Sequence, residues 1–134
     1  MRYELLEHTA DIMVRTTGKD LAECFANAAF ALEDQMVEAG KVEPREMVVI
    51  DTEGFDKESL LLNFLSEFLF LMDTRRMVFG RFDVKIDGLR LRCEAWGEEI
   101  DMERHGAKRE IKAITYHMMV VDEETPSVTV IFDI

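Results

Sequence analysis

Cysteine is scarce in this sequence. Its only two, Cys24 and Cys93, sit in no CxxC pair and beside no histidine. That excludes the usual structural zinc patterns. Cys24 lies in a helix-like apolar pattern and Cys93 in a strand-like one, so both read as reduced core residues of a cytoplasmic protein, and a disulfide between them is disfavoured. Proline is scarce as well, with two residues against a hydrophobic fraction of 48%, which excludes a disordered chain. Met1 to Glu4 lacks the apolar region of a secretory signal, and no apolar run reaches the length of a membrane span. Absent too are a glycine-rich phosphate loop, a GxSxG elbow and an HExxH pair. Nothing assembles a nucleophile, a base and oxyanion donors, so the expectation is a protein that is not itself an enzyme.

Basic charge is also short. Sixteen lysines and arginines face 28 acidic residues, a net charge of -12. Proteins that hold nucleic acid neutralise phosphates with a basic stripe, and none is visible. Stable direct RNA binding is therefore not expected. A basic protein partner or a cation suits this balance, as does acidic charge that only maintains solubility.

The 134 residues fit one domain with a core of its own. Residues 3–7 and then Ile12, Val14 and Thr16 read as strand, and Gly18 ends it. Leu21, Phe25, Ala28, Ala29, Leu32 and Met36 fall on one face of a helix over residues 20–39, with Gly40 as its stop. Residues 47–52 are a β-branched strand. Asp56 caps a second helix over residues 56–73, whose stripe includes Leu61, Phe64, Leu65, Phe68, Leu69 and Met72. Leu60, Leu62 and Phe70 lie outside that stripe, which predicts burial on more than one side. Asp87-Gly88 suits a type I′ hairpin turn, pairing Ile86 with Leu89 and Val84 with Leu91. Residues 97–109 read as a polar loop, 110–121 as a strand, 122–126 as a turn, and Val128, Val130 and Phe132 as a last strand. The sum is an α+β fold, two helices packed on a mostly antiparallel sheet, with room for a subdomain inserted at about residues 44–106.

Three places could carry chemistry. His8-Thr9-Ala10-Asp11 is a polar tetrad between strand-like segments, where an Asx-turn or a cap would equally account for Asp11. At the other end, Phe132-Asp133-Ile134 closes on a β-branched apolar residue, which predicts a packed end. The Asp133 side chain and the Ile134 carboxylate are then adjacent anions. They are either a solvated acidic end or part of the oxygen ligand set that Ca²⁺, Mg²⁺ or Mn²⁺ prefers. The third place holds Glu98, Asp101, His105, Glu110, Lys112 and His117, which could contact a nucleotide or partner, or could form a solvated face.

Taken together, these motifs resemble the archease family over essentially the whole chain. The likeness rests on Leu6-Glu7-His8-Thr9-Ala10-Asp11, on Gly97-Glu98 with Asp101 and His105, on Ile111-Lys112-Ala113 with Thr115 and His117, and on the terminal Phe132-Asp133-Ile134. Met13 departs from it, standing where that family commonly has glycine. The resemblance implies a strand–helix–strand–strand module with an insertion, and a divalent-metal site of Asp11, Asp133 and the Ile134 terminus, with Ca²⁺ the expected occupant in a structure. It also implies a role in activating an RtcB-type tRNA-splicing RNA ligase by promoting its guanylylation. His8, Glu98, Lys112 and His117 would be its partner or nucleotide contacts. A metal-independent acidic adaptor or chaperone is the other reading, and a stand-alone metal-dependent hydrolase ranks last.

Overall fold

A computed structural model of the chain describes residues 2–6 and 11–134. The elements run β1 (Glu4–Leu6), β2 (Ile12–Thr17), α1 (Leu21–Met36), β3 (Glu46–Glu53), α2 (Lys57–Arg75), β4 (Met77–Asp87), β5 (Arg90–Glu99), β6 (Ala113–Asp122) and β7 (Ser127–Asp133). They form two antiparallel sheets, a four-stranded one ordered β1-β2-β7-β6 and a three-stranded one ordered β3-β5-β4. The α+β architecture expected from the periodicities is the one observed. The smaller sheet and α2 come from one continuous stretch, yet both helices and both sheets share a single apolar core.

The caps explain the helix limits. Asp20 accepts from the Glu23 backbone N–H at 2.9 Å, satisfying a donor the first turn would leave open. The helix stops at Met36, earlier than Gly40 would set it, because Val37 is extended. The Asp34 side chain then accepts from the Ala39 N–H at 3.0 Å and leads the chain into a short 3₁₀ turn, Ala39–Lys41. Helix α2 opens with a reciprocal box between Asp56 and Ser59. It closes on Arg76, which lies in the left-handed region at φ 54°.

Leu60, Leu61, Phe64, Leu65 and Phe68 of α2 are fully buried. Phe70 is not, being 59% exposed, so burial spreads past the main stripe at Leu60 but not at Phe70. An aromatic chain ties the layers together. Phe25 of α1 stacks on Phe64 at 6.2 Å, Phe64 meets Phe68 edge-on at 5.2 Å, and Phe68 contacts Phe79 and Phe82 of β4 at 5.5 and 5.3 Å. Met13 is regular in β2, buried and paired with Ile131, so a side chain is accommodated at that position.

Two sequence expectations shift by a few residues. The hairpin turn is Gly88-Leu89, not Asp87-Gly88, so Ile86 pairs with Leu91 and Val84 with Cys93. Only Gly88 has positive φ (61°), the pattern of a type II′ turn, and Leu89 is left exposed. The other shift concerns residues 97–112. Gly97 to Glu99 continue β5, and β6 begins at Ala113, so Glu110 to Lys112 are loop rather than strand. Within β6 the register with β7 jumps between Thr115 and Val120, and Met118 there has φ 55°. This bulge turns Tyr116 and Met118 outward.

Strand β4 ends its sheet, but α1 covers it. There the fully buried Glu33 accepts from the Phe79 N–H at 3.2 Å, while its Oε2 has no partner. Burial pushes this carboxyl well above its ordinary value. The unfolded chain ionises Glu33 near 4.5, whereas the folded protein must keep it neutral to a much higher pH. Stability is therefore fully present below that ordinary value and is lost as pH rises toward the folded one. We expect Glu33→Gln, which keeps the shape and the acceptor, to gain stability over wild type progressively as pH rises above 4.5 in denaturant titrations. A pH-independent difference would show that the carboxyl ionises freely in place.

Candidate metal and partner site

The site begins with the ladder between β2 and β7. Its last pair is Ile12 with Phe132; Asp133 ends β7, and Asp11 lies in the bend just before β2. Phe132 turns into the core, so Asp133 projects to the opposite face of its strand, as Ile131 does. Asp11 is half-buried and Asp133 exposed. Asp133 also pairs with Ala113 of β6, and its carbonyl accepts from the Lys112 N–H at 2.7 Å. The expected packed end stops two residues early: Phe132 is buried, but Asp133 is exposed and Ile134 is 42% exposed.

The other candidates separate. His8 lies outside the described residues. Lys112 and His117 are exposed, Lys112 in the loop before β6 and His117 on its bulge. Glu98 corrects the sequence reading, because it points inward and is only 5% exposed. Its carboxylate takes both arms of Arg104 at 2.7 and 3.0 Å, Arg45 at 3.0 Å, the Glu43 N–H at 2.7 Å and His105 at 2.8 Å. It is an internal hub, with no free oxygen to offer a ligand.

The hub has clear local causes. An added Cβ at Gly97 would collide with the Val78 carbonyl, so glycine there allows β5 to close on β4 and sets the next residue, Glu98. The β3–β5 register pairs Glu46 with Gly97, which brings Arg45 beside Glu98. The Asp101 N–H donates to Nδ1 of the fully buried His105 at 2.9 Å. Nδ1 therefore carries a lone pair, and the ring donates its Nε2 proton to Glu98. The same loop is tied to the end of α1, where Glu38 N–H donates to the His105 carbonyl at 2.8 Å and Lys108 N–H to the Met36 carbonyl at 2.8 Å. Arg45 and Arg104 were not legible as site partners, because only the strand register and the loop turn bring them to Glu98.

Burial alone would raise the Glu98 carboxyl. The Arg104 guanidinium, the Glu43 N–H and the His105 ring outweigh it and hold the group down at about 2. Both thiols move the other way: burial pushes Cys24 up to about 11 and Cys93 up to about 12, so neither is a nucleophile near neutral pH.

Antiparallel two-sheet α+β topology and a loop locked onto a buried carboxylate define a small two-layer α+β fold. The sequence profile of the archease protein family matches residues 3–134. Protein archease from Pyrococcus abyssi is 46% identical over 126 residues, covering 91% of this chain and 89% of the relative. Protein archease from Danio rerio is 39% identical over 139 residues, covering 99% and 85%. The solution structure of Methanobacterium thermoautotrophicum protein 1598 superposes with a TM-score of 0.82 at 38% identity, covering the whole of both chains. The crystal structure described as an archease, possible chaperone, from Thermotoga maritima gives a TM-score of 0.62 at 20% identity, covering 96% of this chain and 94% of its own, a likeness of fold alone. The chain belongs to the archease family.

The Glu98 hub yields a stability test. With its carboxyl depressed, Glu98 stabilises the fold above its ordinary value of 4.5, and that contribution is lost as pH falls toward about 2. Glu98→Gln is expected to cost about 2–3 kcal/mol near neutral pH, the scale of charge-assisted bonds removed from a buried group. It should also flatten the acid limb of the unfolding profile. A variant as stable as wild type with an unchanged acid limb would remove Glu98 from its central place.

Proposed function

We propose that this protein is an accessory factor for an RtcB-type tRNA-splicing RNA ligase, raising its guanylylation and turnover through a divalent cation held by Asp11, Asp133 and the carboxylate of Ile134. Family membership supports the general role. The observation that supports the metal reading is the β2–β7 ladder, whose last pair, Ile12 with Phe132, is followed along the chain by Asp133 and preceded by Asp11.

The donor set suits a hard ion. It contains only oxygen, which favours Ca²⁺, Mg²⁺ or Mn²⁺ over metals that prefer thiolate or imidazole. Among the described residues no group of three or more His, Cys, Asp or Glu side chains is arranged to hold a metal ion by itself. Two aspartates and the chain end leave coordination positions open, since such ions take about six to eight oxygens. Phosphate oxygens of the ligase's nucleotide would complete the shell, and the ion would offset their charge while GMP is transferred. The chain's own part is to hold the two carboxylates and to present them at an exposed strand end.

The acidic balance, net -12, favours a second reading, a metal-independent adaptor that grips a basic partner. The two readings part in one experiment. Asp11→Ala, Asp133→Ala and removal of Ile134 should each lower stimulation of ligase guanylylation at least about tenfold, the loss typical of disturbing a metal site. Chelation with EDTA should abolish stimulation and added Mn²⁺ or Ca²⁺ restore it. Full stimulation by all three variants would refute the metal reading. Stimulation that survives EDTA and falls with salt would establish the adaptor.

A further inference from the structure

A groove of about 500 Å³ runs between the C-terminal end of α2 and the loop before β6. Its lining is rich in thioethers and apolar side chains, with Met36 and Ile111 buried, Met72 half-buried and Met102 exposed. Arg76 and Arg109 stand on its rim. Neither has a carboxylate or aromatic partner among the described residues, although acidic side chains outnumber basic ones 28 to 16. The chain's other arginines each meet a carboxylate or a ring. Asp73 and Glu110 share the rim, and neither pairs with the two guanidiniums. Lys108 is already committed to Asp34, donating to its carbonyl at 2.7 Å.

Arg76 is unusual in a second way. It ends α2 at φ 54°, a conformation in which glycine is the common residue because a Cβ is unfavourable there. A large cationic side chain persists where the backbone alone would favour none.

We propose that this groove docks an acidic, apolar segment of the partner protein, with Arg76 and Arg109 receiving its carboxylates and the methionines receiving its apolar side chains. Charge complementarity carries the choice of occupant, since these are the unpaired guanidiniums of an otherwise acidic molecule. Methionine linings suit peptides, because the flexible thioether fits varied side chains. The N–H groups of Arg76, Ile100, Ala107 and Lys108 are already bonded to carbonyls within the fold, so of the groove's polar groups the two guanidiniums are the ones left to meet an anionic side chain or phosphate, and the methionines favour an apolar segment beside it. Ile111 joins the groove to Lys112, whose N–H bonds Asp133, so a docked segment would lie beside the acidic strand end.

The inference rests on the activator reading for the identity of the partner, and its test keeps the two apart. Binding of the full chain to the ligase is measured by interferometry in EDTA, without metal. Arg76→Glu with Arg109→Glu should weaken binding at least about tenfold, as loss of central arginine contacts does. Arg76→Lys with Arg109→Lys should retain most of it. Arg90→Glu with Arg92→Glu makes the same charge change at a distance and should leave binding near wild type. In unmodified protein, the methyl resonances of Met72 and Met102 should shift on adding ligase, a readout that does not depend on any variant folding. The proposal is overturned if the glutamate pair binds like wild type, if the distant pair weakens binding equally, or if those methyls stay unmoved. Methyl shifts with GMP but none with ligase would also overturn it, in favour of a nucleotide site. Wild-type protein that neither binds nor stimulates the ligase would defeat the activator reading itself.

Discussion

Six consecutive pairs between β2 and β7, from Ile12–Phe132 to Thr17–Ser127, hold the two ends of the chain together. The rest of the molecule is arranged around this ladder. Its core-facing residues, Val14, Thr16, Val128 and Val130, are essentially inaccessible to solvent, so a slip of one residue would turn the whole set outward. The same register carries Asp133, the residue after Phe132, to the opposite face of β7.

A second constraint acts at the far end of α1. Glu98 gathers Arg45, Arg104 and His105 around one inward carboxylate, joining the entrance of β3, the end of β5 and the loop that follows. Long loops usually carry a large entropic cost and considerable freedom. This one is restrained by charge-assisted bonds to its own strand and by backbone bonds to α1. The groove wall contributed by Met102 and Arg109 is for that reason part of a braced surface.

Much of this architecture was legible before any coordinates. The period of Leu21, Phe25, Ala28 and Leu32, the Asp56 cap and the alternation ending at Phe132 all correspond to observed elements, because each is dictated by local chemistry. The hairpin was placed one residue early because Asp-Gly fits a type I′ turn so well, whereas the strands pair through Asp87–Arg90 and close on Gly88-Leu89. The Glu98 network was not readable, since Arg45 lies 53 positions away and reaches it only through the β3–β5 register. Asp11 and Asp133 were singled out by type and position. The pairing of β2 with β7, next to which both lie in sequence, joins distant segments and is encoded by no local pattern.

The bulge in β6 bears on how the molecule behaves in company. An unpaired edge of a regular strand is a template on which another chain can add, and the four-stranded sheet has such an edge at β6. The register jump between Thr115 and Val120, with Met118 in a left-handed conformation, breaks the even spacing of N–H and C=O groups that a newcomer would need. The opposite edge, β1, offers three residues among those described. A sheet so interrupted on one side and so brief on the other resists fibrous stacking, and crowded solutions of the protein are protected from growing into ordered aggregates along that direction.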